Sequence, residues 1–269
     1  MVDALQRLHG KTAVITGAGR RGGLGAAIAA RLAAEGAAIV LSDIPEPIEP
    51  GVADPSYARE IDKLAAGIGG NVSTFICDVR DWNQVQALAA HAVSAHGGLE
   101  IWVNNAGIGS IMKPLLTLQP EDWTKVIDVN LTGAFFGLRA AADVMVAQKR
   151  GGRIINIASQ AAKSGFAHAQ AYTASKHGLV GLVRSAAIEL GPHGITVNNL
   201  PSITSFRVFK TTGILGGDAP APYAYVETID IADMDGFWKD VATPVMQDIA
   251  AKFSAMADVV FMTTEEIEA

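Results

Sequence analysis

Short apolar runs alternate with longer Ala-rich or amphipathic stretches down most of this chain. Lys11 to Thr16 is a brief, partly β-branched run suited to a buried parallel strand, and Ala37 to Ser42 repeats the pattern. Val72 to Cys77, Leu99 to Asn104, Arg153 to Ile157 and Ile195 to Leu200 read the same way. Between these runs the spacing predicts helices. The first spans Ala26 to Glu35 and stops at Gly36; the next starts near Ser56 and stops at Gly69-Gly70. A third follows the good N-cap Asp81 to His96, a long one runs from Glu121 to Gln148, and another from Gln170 to Leu190. Strand-helix alternation predicts the α/β class: a doubly wound parallel sheet with helices on both faces and ligands beyond the strand C-termini.

The pattern breaks where proline and glycine gather. Pro45 to Gly51 suits neither a helix nor a central strand and reads as a surface insertion. Phe206 to Trp238 reads as loop, with Gly213, Gly216-Gly217 and Pro220-Ala221-Pro222 among the aromatics Phe206, Phe209, Tyr223, Tyr225, Phe237 and Trp238. Aromatics on a mobile loop can close over an apolar ligand, so residues 202–257 are expected to form a substrate lid, with a packed cap or a partner-subunit contact as the equal alternative. That lid belongs to a single Rossmann-type domain spanning 1–269. A helix is expected from Phe237 to Met256, and Asp258 to Met262 can make a seventh strand.

Composition supports a folded domain rather than a disordered tail or a nucleic-acid binder. Hydrophobic residues make up 49% and charged ones 18%, enough for a sizeable core. The net charge of −6 argues against nucleic-acid and anionic-membrane partners. No apolar run is expected to span a bilayer, and Met1 to Gly10 shows no signal-peptide pattern. Cys77 has no second cysteine to pair with, which suggests a buried, inert thiol and a reducing cytoplasm. No metal-ligand pattern is present.

The candidate chemistry lies at strand ends and on one helix. Gly17-Ala18-Gly19-Arg20-Arg21-Gly22-Gly23-Leu24-Gly25 joins the first strand to the first helix, an order that lets backbone approach a pyrophosphate at a helix N-terminus. Asp43 ends the second strand where a carboxylate can accept from both adenosine ribose hydroxyls and repel a 2′-phosphate. Arg20 and Arg21 argue for NADP, but Asp43 outweighs them and NAD is expected. Tyr172 and Lys176, four apart on one helix, share a face. A phenol titrates near ~10 in water, and bringing one toward neutrality takes roughly 4 kcal/mol, about what an ammonium at ~4 Å supplies at an effective dielectric of ~20. Such a pair can exchange a proton with an alcohol.

Taken together these residues resemble the short-chain dehydrogenase/reductase family. The matches are Thr16-Gly17 with Gly23 and Gly25; Asp78; Asn104-Asn105-Ala106-Gly107; Asn130; Ser159; and Tyr172 with Lys176, in family order over roughly residues 8–201. The resemblance implies that Tyr172 is the general acid/base, that Lys176 activates it and bonds the nicotinamide ribose, and that Ser159 orients the substrate carbonyl. It implies that Asn130 holds a relay water and Asp78 contacts adenine, with Val79 beside it. It assigns Arg20, Leu24, Asn105, Ala106 and Gly107 to the cofactor, with Asn104 and Gly107 supporting its middle and Ile203 reaching its carboxamide. The chain departs from the family in its longer glycine loop, in Pro201-Ser202 where Pro-Gly is usual, and throughout its last sixty or so residues. The implied activity is NAD-dependent interconversion of a secondary alcohol and a ketone by a cytoplasmic homo-oligomer, a tetramer or dimer. NADP-dependent reduction, or a non-redox lyase or cofactor-binding sensor on the same scaffold, are the alternatives.

Overall fold

A computed structural model of the protein describes residues 6–44, 57–198, 203–210 and 225–231. Six parallel strands form one sheet: β1 (Thr12–Thr16), β2 (Ala38–Asp43), β3 (Val72–Ile76), β4 (Ile101–Asn104), β5 (Gly152–Asn156) and β6 (Ile195–Asn198). Their order is β3-β2-β1-β4-β5-β6. Strand order reverses beside β1, which opens a crevice at the strand C-termini between β1 and β4. This is the expected doubly wound Rossmann arrangement.

Side-chain alternation sorts the strands into two apolar layers. Val14, Val40, Trp102 and Ile154 face the helices α3 (Trp82–His96), α5 (Gly133–Gln148) and α6 (Gln170–Leu190). Ala13, Ile15, Ile39, Leu41 and Val103 face the other way, toward α1 (Leu24–Ala34) and α2 (Tyr57–Ile68). At the end of α1, Arg7 and then Arg31 bond Glu35 and hold its carboxyl down at about 2, which ties the residues before β1 to the core.

Several elements differ from the sequence reading. The expected long helix is α4 (Pro120–Ile127) and α5 joined through a π-helical segment, Asp128–Thr132, where Gly133 N–H reaches back to Asp128 O. This continuous stretch, Pro120–Gln148, is by length and composition apolar enough to cross a bilayer, contrary to expectation. Its apolar positions are accounted for by the core: Leu138, Ala141 and Met145 are buried against the sheet and α3.

The second correction concerns the segment read as loop. Ile203–Lys210 and Tyr225–Ile231 are strands, β7 and β8, paired antiparallel in a sheet of their own. Both carry β-branched and aromatic residues in near alternation, a signal masked by the glycines and prolines of 211–224. Contacts divide the chain into two compact units, Met1–Leu200 and Pro201–Ala269. The six-stranded sheet lies wholly in the first. The proline-rich insertion, the Phe237–Met256 helix and the Asp258–Met262 strand lie outside the described residues.

Candidate active site

The β1 side of the crevice is built by backbone. Gly17 turns the chain at φ +65, and a Cβ there would sit 2.6 Å from Ala106 Cα. Glycine therefore lets the loop after β1 touch the loop after β4. Thr16 Oγ1 accepts from the N–H of Asn105 and of Ala106, both at 3.2 Å, and donates to Val103 O. Asn105 Nδ2 returns two bonds, to Thr16 O at 2.8 Å and Gly17 O at 2.9 Å. Gly25 packs on that same amide, where a Cβ would come within 2.6 Å of Asn105 Nδ2. Helix α1 then starts at the N-cap Gly23 with no side-chain cap and no acidic residue in its first turn. A pyrophosphate fits this cradle: Cβ-free positions allow close approach, and the positive helix end favours an anion.

Asp43 closes β2 directly under the loop. Its Oδ2 accepts from Gly19 N–H at 2.7 Å and its Oδ1 from Ile44 N–H at 2.8 Å. A Cβ at Gly19 would lie 2.9 Å from Oδ2, so this contact also needs glycine. One strand further out, Cys77 N–H bonds Asp43 O, and Asp78 follows. The order pyrophosphate cradle, Asp43, Asp78 thus runs outward along adjacent strand ends. Val79 is buried, and its Cγ2 occupies space that a Cβ on Gly133 would invade at 2.7 Å. Burial pushes the Cys77 thiol up to about 12, consistent with an inert role.

Side chains build the β4–β5 side. Lys176 is only 6% exposed, and its Nζ donates to Ile157 O at 2.7 Å while lying 5.7 Å from the Tyr172 ring centre. That bond pins the strand end leading to Ser159 against the helix that carries Tyr172. Burial lowers the Lys176 ammonium to about 8. Ser159 caps the short 3-10 turn Gln160–Ala162, its Oγ accepting from Ala161 N–H at 3.2 Å. Its hydroxyl proton takes no part in that bond.

Asn130 lies in the π-helical segment, 1% exposed. Its Oδ1 accepts from Ile108 N–H at 2.8 Å, and its Nδ2 donates to Ile108 O at 3.0 Å and Ser175 Oγ at 3.3 Å. Ser175 Oγ in turn donates to Tyr172 O at 2.7 Å. The amide therefore grips both edges of Ile108 and sets the loop that passes Tyr172, where a Cβ on Gly109 would touch the ring at 3.5 Å. Beneath the crevice, Asn104 Oδ1 accepts from Trp102 Nε1 at 2.7 Å, and its Nδ2 donates to Ala134 O and Asn156 Oδ1.

The structure thus brings Asn130, Ser159, Tyr172 and Lys176 to the strand ends beside the cradle of Gly17, Gly23 and Gly25. Leu24 begins α1 exposed, and Arg20 lies on the loop crown, its carbonyl accepting from Gly23 N–H. Asn104 and Asn105 spend their side chains on protein groups and act as frame. Gly107 sits beside Asn130, with Cβ space to 3.4 Å. Ile203 opens β7, which belongs to the second unit. Sequence reasoning missed Thr16 as the hub of the two loops, Ile157 as the lysine's acceptor, and Arg80. Thr16, immediately before the first glycine, was the one with a visible signal.

Comparison with known proteins agrees with this geometry. The family model described as short chain dehydrogenase matches residues 11–205. A second, described as REDY-like protein HapK, matches residues 193–267. A (-)-trans-carveol dehydrogenase from Rhodococcus erythropolis is 40% identical over 205 residues, covering 73% of this chain and 71% of its own. Among solved structures, a carveol dehydrogenase from Mycobacterium avium in complex with NAD superposes with a TM-score of 0.66 at 36% identity, over 73% of this chain and 72% of that one. A metagenomic short-chain oxidoreductase in complex with NADP superposes at 0.62 with 41% identity, over 72% and 82%.

Proposed function

This chain belongs to the short-chain dehydrogenase family, whose members are NAD(P)-dependent alcohol oxidoreductases, and from that premise we propose that it uses NAD to interconvert an apolar secondary alcohol and its ketone. The observation that carries the reading is the buried Lys176, fixed by Ile157 O and set beside Tyr172 at the mouth of the glycine cradle. A bound nicotinamide supplies the hydride acceptor. Tyr172 takes the proton of the alcohol, Ser159 donates to the same oxygen, and the Lys176 cation favours the charge that develops there. Asn130 holds the 107–109 loop against Tyr172 and, through the widened helical turn, a relay water. Asp43 selects NAD by accepting from the ribose, and Asp78 meets the base beyond it. The carveol-oxidising relative supports a ring alcohol of terpenoid size. A homo-oligomer in a reducing cytoplasm completes the reading.

Nicotinamide reduction is followed with NAD and with NADP across cyclic, aliphatic and polyhydroxylated secondary alcohols. Turnover of cyclic apolar alcohols with NAD is expected. Turnover confined to NADP removes the role given to Asp43, and silence across the panel with NAD still bound favours the non-redox reading.

Residues 202–257 are proposed as the lid over this site. The division of contacts after Leu200 and the HapK-like match over 193–267 favour a second reading, a separate module. Limited proteolysis of the whole protein between residues 199 and 203 separates the two. A lid predicts lost turnover with NAD affinity kept, and a module predicts that turnover survives the cut.

A further inference from the structure

The turn after β3 holds a charged fork that the reading above leaves without a purpose. Arg80 closes on Asp78 from two residues away: its backbone N–H bonds Oδ1 at 2.9 Å, Nε bonds Oδ1 and Oδ2 at 3.0 Å each, and Nη2 bonds Oδ2 at 2.5 Å. The backbone of Asp78 is braced as well. Its N–H donates to Gln84 Oε1 at 2.9 Å, Gln84 Nε2 donates to Asp81 Oδ2 at 3.1 Å, and Asp81 N–H returns to Asp78 O at 3.0 Å. Asp81 meanwhile caps α3 through Asn83 and Gln84 N–H. Strand end, turn and helix start are therefore one unit that carries the Asp78 carboxylate.

Burial alone would raise the Asp78 carboxyl, but bonding to Arg80 more than reverses this and leaves it below the usual carboxylate range. On its other side the guanidinium feels Asp128 and lines a cleft of about 330 Å³ with Glu121, Thr124 and Lys125. The cap of this helix is already supplied by Asp81, three residues after Asp78. A carboxylate held ionised, with one rotamer fixed by a bidentate fork, is instead suited to accept one hydrogen from a planar amine.

We propose that Arg80 is a positioning residue for adenine recognition, acting through Asp78. It aims the carboxylate at the exocyclic amine of the base and keeps it an acceptor. The inference rests on the placement of the base beyond Asp43 made in the preceding section. A lysine cannot reproduce the planar fork, so charge alone does not replace it.

The test measures dissociation constants by calorimetry on the full chain, for NAD, for its hypoxanthine analogue, in which a carbonyl replaces that amine, and for nicotinamide mononucleotide, which has no purine. The wild-type protein should prefer NAD over the hypoxanthine analogue by about tenfold or more, the worth of a hydrogen bond to a charged group. Arg80→Ala and Arg80→Lys should each shrink that preference to within about threefold, leave nicotinamide mononucleotide affinity unchanged, and add nothing further in an Asp78→Asn background. The Arg80 side chain is 42% exposed, so both variants should fold, which the melting temperature verifies.

The proposal is overturned if Arg80→Ala keeps the full adenine preference while Asp78→Asn abolishes it, because Asp78 then needs no aiming. It is overturned as well if Arg80→Lys restores the preference completely. A wild-type protein that binds NAD but shows no adenine preference sinks the placement of the base at Asp78 along with it. One that does not bind NAD at all sinks the dinucleotide reading itself.

Discussion

On the β1–β3 side of the crevice the chain offers mostly backbone. Gly17, Gly19 and Gly25 are each placed where a Cβ would strike Ala106, Asp43 or Asn105. On the β4–β5 side it offers side-chain functional groups: Lys176 is held by Ile157 O, Ser159 by Ala161 N–H, and Asn130 by Ile108 and, through Ser175, by Tyr172 O. On the proposed reading the first side recognises a shape shared by all dinucleotides, and the second performs proton chemistry specific to a reaction. The two sides should therefore fail differently when altered. Damage to the backbone side removes binding, whereas damage to the side-chain side removes turnover and spares binding.

Tyr172→Phe gives the largest expected contrast. Loss of the phenolic proton carrier should cut kcat by about 10³-fold or more while the NAD dissociation constant stays within about twofold, measured by steady-state kinetics and calorimetry. A retained kcat would assign the proton to another group. Gly17→Val should do the reverse. The new Cβ meets Ala106 Cα at 2.6 Å on a backbone at φ +65, so the melting curve should report a loss on the order of 3 kcal/mol, with NAD binding abolished.

Asp43→Ala sharpens the comparison within the backbone side. Removing the carboxylate that Gly19 N–H holds should lower the NAD/NADP preference by about tenfold, read as the ratio of kcat/KM values. The smallest effect concerns the buried cation. The Lys176 ammonium falls from an ordinary 10.5 to about 8 in the folded chain, so the unfolded chain binds more protons between these values. Its contribution to stability is therefore fully present above about 10.5 and lost as pH falls through about 8. Without cofactor, the stability difference between wild type and Lys176→Met should shift in favour of wild type as pH rises from about 7 to about 10, followed by urea unfolding. A difference constant with pH would show that the lysine is not buried as a cation.

Much of this was legible in the sequence because local rules and the fold agree. Helix α6 was readable at both ends, Gln170 and Leu190, and Asp81 was readable as a cap. The glycine loop was readable because strand, glycines and helix occur in a fixed order. Other features depend on contacts that no local pattern encodes. The π-helical segment around Asn130 looks like ordinary helix in sequence. The bonds from Asn105 to Thr16 and Gly17 join residues 88 and 89 positions apart. The β7–β8 pair was obscured because a window rich in proline and glycine outweighed the alternating residues at either end. Arg80 was passed over because a charged residue in a turn reads as solvated until its four bonds to Asp78 are seen.

Below the crevice, Asn104 acts as a coupling between layers. One oxygen takes the indole of Trp102, and one nitrogen serves both the α5 carbonyl at Ala134 and Asn156 on the neighbouring strand. An aspartate would match it in outline yet present oxygen to oxygen at two of those three places. How the strand ends beneath the crevice lock to helix α5 is thus governed by which way round a single amide sits.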